Sequence, residues 1–418
     1  MRKASPEMLQ GTQEPSPSPE TLEQGTQTPF PSPGMLKTAT QTPIPAPGLI
    51  PAEEGRRNLT GNSHSGLYIE GGRLIIKDTA HVGESEKLPS TYDELVKRSP
   101  QGSIFAHRWW LDAVAPGMYE ILEIRKGDGI QAAWPIVYRK SDGAKHVCMP
   151  ALTQKLGILF APSNAKPVEV QSKKQKLTTE LMEQLGETAS FHQNFHETFT
   201  DWLPFYWREY TQTTRYTYVL EDISDLDVLW DNVRQKAKTE IRKAQKLGIQ
   251  IKDDLDLAHF SEVIRKTFAR QNRSPLATDE FVRRLDAACS KNAGRKIFAG
   301  VDSQGRVHAA VYVTWAGNTA YTLMGGGDPE LRQSNAYRLV SWEAMVFASS
   351  IAKRFDFVGS MLPQVETVFR GFGAKQLPYF SITKVRPARG DLSGTLRESI
   401  AFCWNRARRT IARRLDKK

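Results

Sequence analysis

Residues 353–383, KRFDFVGSMLPQVETVFRGFGAKQLPYFSIT, limit more than any other stretch what this chain can fold into. Residues 355–358 read as a buried strand, Gly359 as a turn, 364–372 as a short helix, Gly373 as its stop and 379–383 as a closing strand. A long helix over 334–353 comes directly before. A helix followed by strand, helix and strand needs a sheet with helices packed on it, which excludes a helical bundle, a coiled coil and an all-β sandwich.

The preceding sequence supplies the rest of that sheet. An apolar stripe (Leu229, Val233, Ala237, Ile241, Ala244) predicts one helix from Asp225 to a stop at Gly248. Two capped amphipathic helices follow, from Asp256 and from Thr278. RKIFAGVD, RVHAAVYVTWAG and NTAYTLMGGG then read as a three-stranded antiparallel meander with turns at 302–306 and at Gly317-Asn318. Ordered sequence begins near Tyr92, where Thr91 and Glu94 have capping-box spacing. A helix over 108–114, a hairpin at Gly127-Asp128-Gly129, a helix over 174–188 and a short one at 201–206 complete this first half. The expected class is α+β: two subdomains with mixed sheets sharing a cleft, over 86–220 and 221–386.

The two ends differ from this body. Segments beginning at Ser5, Ser18, Ser32 and Ala46 repeat with a spacing of 13 to 14 residues, each rich in proline and carrying about one large apolar side chain. Such a unit cannot bury enough surface to offset its ordering entropy, so residues 1–85 are expected to be a disordered tail and linker. It is either a flexible tail or repetitive leader sequence translated from a start placed too far upstream. LYIEGGRLIIKD within it has the pattern of a hairpin around Gly71-Gly72. From Arg386 to Lys418, ten Lys and Arg stand against three acids, and Leu392, Leu396, Ile400, Cys403, Trp404, Ala407, Ile411 and Leu415 fall on one helical face. This basic amphipathic helix, 387–418, is suited to an anionic membrane or RNA, or else packs on the second subdomain.

A formal charge of +11 favours polyanionic partners or serves solubility. Three widely spaced cysteines form no CxxC, which argues against a zinc site or disulfide framework and fits a reducing, cytoplasmic setting. No stretch approaches the roughly 18 apolar residues of a membrane span. Walker A, HExxH and GxSxG motifs are absent. His192 and His196 have the spacing of a metal pair but no further ligands, so no metal is expected.

Three motifs carry a resemblance. The wording DF-x-GS…P-x-x-E-x-x-FR-GFGAK-x-x-PY, the string KTEIRKAQKLGI, and Phe105 followed by Trp109-Trp110 resemble the FemAB-like branch of the GNAT acyltransferases, over about residues 91–386. That resemblance implies two GNAT-like subdomains and transfer of an acyl group to an amine without metal or covalent intermediate. It implies a phosphate-bearing donor, acyl-CoA or aminoacyl-tRNA, as co-substrate. It places Lys238 and Arg242 on donor phosphates and Trp109 along the groove. The helix start with Arg332, Ser334, Asn335 and Tyr337 falls where GNAT enzymes hold the pyrophosphate, although the central glycine of their [RQ]-x-x-G-x-[GA] pattern is missing. In the closing motif, Asp356 and Glu366 are the carboxylates nearest the expected cleft and could orient or deprotonate an amine. Arg370 and Lys375 could steady an oxyanion or phosphate. The alternatives are an aminoacyl-tRNA-dependent peptide ligase of cell-wall precursors and a non-catalytic polyanion-binding protein.

Overall fold

The computed structural model describes residues 87–385, residue 142 excepted, and the backbone of 66–70 and 73–77. The expected C-terminal helix and most of the N-terminal tail lie outside the described residues. By compactness the chain divides at Ala80/His81. In the first unit, β1 (Gly66–Glu70) and β2 (Arg73–Lys77) pair antiparallel with Glu70 opposite Arg73, the hairpin expected around Gly71-Gly72.

The second unit opens with α1 (Tyr92–Arg98) and α2 (Arg108–Val114). Strands β3 (Tyr119–Lys126), β4 (Gly129–Ser141), β5 (Ala144–Val147) and β6 (Leu159–Phe160) follow. Then come α3 (Pro167–Leu185), β7 (Ser190–Asn194), α4 (Leu203–Tyr206) and β8 (Thr211–Leu220). Two helices, α5 (Leu226–Asn232) and α6 (Gln235–Lys246), lead to β9 (Gln250–Lys252), α7 (Leu257–Ala269) and α8 (Asp279–Asn292). The meander is β10 (Gly294–Val301), β11 (Val307–Ala316) and β12 (Thr319–Gly327). The close is α9 (Ala336–Ser349), β13 (Arg354–Asp356), α10 (Pro363–Gly371) and β14 (Lys375–Val385).

The two expected mixed sheets run together into one sheet of twelve strands, ordered β3-β4-β5-β7-β14-β8-β13-β12-β11-β10-β9, with β6 on β4. The closing strand makes the join. β14 pairs antiparallel with β7 of the first half over Ser381–Val385 and with β8 over Lys375–Thr383. It is longer than the five residues expected because both its edges are occupied. One apolar cluster also crosses the join: Phe105 and Trp110 pack with Phe260, Leu285 and Tyr321. On the opposite face α6, α9 and α10 cover the second half, and α3 and α4 cover the first.

Three helix boundaries differ from expectation for local reasons. The helix expected from Asp225 to Gly248 is broken at Val233–Arg234, where both residues are extended. There the Arg234 N–H leaves the helix for the Gly371 carbonyl, 2.9 Å away, so a tertiary bond to α10 outcompetes helix continuation. α9 ends before Lys353 because the Lys353 N–H bonds Asn318 Oδ1 at 2.9 Å in the turn before β12. α3 begins at Pro167, seven residues before the expected Lys174, with proline in the first turn where its missing N–H costs nothing, and stops at Gly186 with φ 66°.

Candidate active site

β12 and β13 are parallel and pair over only three residues, Thr319–Tyr321 with Arg354–Asp356. β13 ends at Asp356 while β12 runs on to Gly327, so residues 322–327 of β12 have no strand partner on that edge, the candidate slot of this sheet. β12 carries a bulge here: Tyr312 faces Met324 and Val313 faces Thr322, so Leu323 is the extra residue. A bulge leaves a backbone group unpaired and re-aims its neighbours, and such bulges recur beside active sites.

At the mouth of the slot lies a buried ionic cluster drawn from both halves. Lys155 Nζ is 2.6 Å from Glu197 Oε2 and 3.0 Å from Asp356 Oδ2, and all three side chains are at most 7% exposed. Asp356 Oδ1 also accepts from Thr217 Oγ1 at 2.6 Å and from the Val358 N–H at 2.8 Å. Glu197 Oε1 accepts from Arg354 at 2.6 Å. Burial works against the Lys155 charge, but Asp356 and Glu197 outweigh it and hold its pKa above the ordinary value. Burial likewise opposes the Glu197 charge, and Lys155, His196 and Arg354 overcome it and hold that carboxyl well below the usual range. His196 accepts the Thr198 N–H on Nδ1 at 3.2 Å and turns Nε2 to Glu197 at 3.5 Å. Burial dominates there and lowers its pKa to about 4, so the ring is neutral at neutral pH.

Val358 and Gly359 follow Asp356 with φ of 57° and 60°. A β-branched residue in the left-handed region is a strained outlier, and such strain concentrates at functional sites. Asp356 holds it there through the Val358 N–H. At Gly359 a side chain is impossible: a Cβ would collide with the Tyr216 carbonyl and lie 2.8 Å from Gln154 Nε2. Gln154 is 8% exposed, yet neither polar atom of its side chain has a hydrogen-bond partner. Asn194, which donates to the Gln154 carbonyl at 2.9 Å, has an unpartnered Oδ1, and Arg215 an unpartnered Nε. The strand registers put Asn194 and Arg215 on the same sheet face as Asp356. Buried polar groups without partners cost about 1–3 kcal/mol each, so a row of them beside a strained loop makes this face the candidate binding surface.

The residues singled out from the sequence are placed as follows. Asp356 is completely buried, and its oxygens already accept three hydrogen bonds, so it orients the Val358–Gly359 turn rather than meeting an amine. Lys375 is exposed and stands opposite Val219, which is also opposite Asp356, so the two share a sheet face about 10 Å apart. Glu366 is on the other face, close to the Tyr218 hydroxyl and paired with Arg370 at 2.6 Å. The expected trio of Asp356, Glu366 and Lys375 therefore does not converge, because Tyr218 and Val219 are consecutive and point to opposite faces.

Trp110 is wholly buried and donates to Thr153 Oγ1 at 2.9 Å, while Trp109 is half-buried and stacked on His107. Lys238 and Arg242 both sit 5.5 Å over the Trp230 ring, with Arg242 exposed. At the start of α9, Arg332 is exposed and Asn335 takes the left-handed conformation without capping the helix. Ser334 is turned inward: His308 Nδ1 is 2.9 Å away, and its hydroxyl donates to Leu331 O at 2.8 Å. Asp302 lies 3.1 Å from His308 Nε2, completing an Asp–His–Ser line. The buried serine caps Ala336 N, so this line holds the turn and offers no open nucleophile. The three glycines of β12 answer to packing. A Cβ at Gly325 would be 2.9 Å from the Tyr337 hydroxyl, and one at Gly326 would collide with Thr267.

Lys155, Glu197, Thr217 and Gln154 were not foreseen. A lysine inside the apolar run TQKLGILF was the one signal that pointed to a buried charge. Among the described residues no cluster of His, Cys, Asp and Glu could hold a metal ion.

Comparison with known proteins agrees with this architecture. Residues 231–363 match the acetyltransferase (GNAT) domain family. The crystal structure of FemX superposes with a TM-score of 0.52 at 12% identity, covering 69% of this chain and 94% of FemX. A tandem GNAT protein from the clavulanic acid biosynthesis pathway aligns at TM-score 0.41 and 13% identity, over 72% of this chain and 98% of its own. L-PGS from Bacillus licheniformis aligns at 0.41 and 9%, over 73% and 94%. No curated protein matches the chain by sequence. The class defined is the GNAT-type acyltransferase fold. The superposition on FemX spans both halves of the described chain, and the family match falls on the second half.

Proposed function

We propose that this protein is an N-acyltransferase that moves an acyl group from a thioester or ester donor to an amine. The observation that carries the reading is the unpartnered Gln154 amide, buried under the Val358–Gly359 turn where β13 leaves β12. An amide with free donor and acceptor, flanked by Asn194 Oδ1 and Arg215 Nε, suits a polar acceptor laid along the seam. The slot beside it suits a narrow acyl chain. Leu323, the extra residue of the bulge, is assigned as the donor whose N–H meets the oxyanion that forms when the amine attacks the carbonyl. Holding amine and carbonyl in the same slot supplies the remaining rate enhancement through proximity. The buried Lys155–Asp356–Glu197 cluster fixes the two halves in register so that slot and acceptor groove stay aligned.

The donor in this proposal bears phosphates, as acyl-CoA or aminoacyl-tRNA, and the exposed cations Arg332 and Arg242 are assigned to them. Incubating the protein with a panel of acyl-CoA thioesters or charged tRNAs and an amine mixture, with mass spectrometry of the products, tests the reading. N-acylated product that falls at least tenfold with Gln154→Leu supports it. Tight retention of donor or polyanion with no transfer to any amine would favour a non-catalytic binding protein.

A further inference from the structure

Arg215 is a half-buried cation whose Nε has no hydrogen-bond partner, and among the described residues no carboxylate pairs with it. It stands on β8 opposite Tyr379 of β14, while Asn194 on β7 stands opposite Ser381, so both project on the Asp356 face, one on either side of β14. The carboxylates of the ionic cluster do not serve it, because Asp356 and Glu197 are engaged by Lys155 and Arg354. Burial, and after it the Arg215 charge, hold the His192 pKa below the ordinary value, so the guanidinium acts across β14 on a neutral ring of β7. Toward Thr211 and Thr213 this face is exposed, and a ligand reaches the guanidinium from solvent.

The unmet amide lies beside the unmet charge. The point where a Gly359 Cβ would sit is 2.8 Å from Gln154 Nε2 and 2.9 Å from Thr217 Cα, which seats that amide over β8 next to the Arg215 position. Gln154 is 8% exposed, and both its donor and its acceptor lack partners. An amide with both sides open is completed by a second amide, and a guanidinium without a counter-ion by an anion. The cations assigned to donor phosphates, Arg332 and Arg242, belong to the start of α9 and to α6, which pack on the other face of the sheet. That leaves Arg215 to the acceptor. We infer, resting on the acyl-transfer reading, that Gln154 and Arg215 bind the far end of the acceptor, an amide followed by a carboxylate. From Val219, the partner of Asp356, to Arg215 is a run of about 13 Å along β8. Less the reach of the arginine side chain, a chain of about three extended residues spans it from reacting amine to carboxylate.

Equilibrium dialysis of the full chain with triglycine and with triglycine amide, in the absence of donor, tests this. The expected result is saturable binding of triglycine and at least about tenfold weaker binding of the amide, which lacks the charge. In Arg215→Gln the two probes should bind within about twofold of each other, with an unchanged circular dichroism spectrum. Arg215→Lys, which keeps the charge without the planar fork, should restore part of the preference. Should the variants fail to fold, the two probes compared on the unaltered chain still decide. Equal binding of both, or no binding of either at millimolar concentration, overturns the inference, and so does a preference that survives Arg215→Gln. Inorganic phosphate that binds through Arg215 where triglycine is ignored gives the charge to a phosphate and overturns it as well. Carboxylate-selective binding without acylation by any donor leaves this site standing and refutes the acyl-transfer reading. Acylation of triglycine and of its amide at equal rates does the reverse.

Discussion

Replacing Lys155 with methionine tests whether the ionic cluster really joins the halves. The side chain is 1% exposed between Asp356 at 0% and Glu197 at 7%, so methionine fills the space and leaves two buried carboxylates facing it. Removing one partner of a buried pair costs about 3–5 kcal/mol. Asp356 keeps Thr217 and the Val358 N–H, and Glu197 keeps Arg354, which puts the expected loss at the lower end, about 3 kcal/mol. In urea titration the unfolding midpoint should fall accordingly, with the slope unchanged. In a double-mutant cycle, Lys155→Met with Asp356→Asn should cost less than the sum of the single changes by at least about 1 kcal/mol. A loss below about 1 kcal/mol for Lys155→Met, or strict additivity, would refute the view that this lysine is a desolvated clamp.

Three further outcomes are expected. His196 takes up a proton near pH 6.5 in the unfolded chain and near 4 in the folded one, so stability holds above pH 6.5 and falls by about 3 kcal/mol as pH drops to 4; His196→Gln should flatten that window in pH-dependent urea melts. Gly359→Ala forces a left-handed alanine against Tyr216 O and should cost at least about 2 kcal/mol in thermal unfolding, with Gly143→Ala, whose Cβ meets nothing, as the milder control. Lys375→Ala, at an exposed position on the Asp356 face, should lower turnover in the acyl-transfer assay while the melting temperature stays within a degree or so.

Much of the architecture was legible because local signals and the fold agree. The Thr91 cap, the Gly127 turn, the meander and the helix–strand–helix–strand ending each appear within a few residues of where periodicity places them. The site was much less legible. Its charges come from residues 155, 197 and 354–356, three segments that meet only because β14 threads between β7 and β8. No spacing in the chain encodes that pairing. The basic string around Arg242 was visible, but its stacking on Trp230 depends on the break between α5 and α6, and that break is set by the bond from Arg234 to Gly371. Nothing local in the run of glycines at the end of β12 says that Tyr337 and Thr267 close over them. Gln154 is buried by tertiary packing that no local pattern in the sequence encodes.

The central claim is that acyl donor enters the slot between β12 and β13. Amide hydrogen exchange, with and without a non-transferable donor analogue, measures this directly. Slowed exchange at 322–327 and 356–360, and little change in α3 or β3, is the predicted result. Full protection of those amides already in the free protein, or donor-induced protection confined to α6 and the Arg242 face, would contradict it.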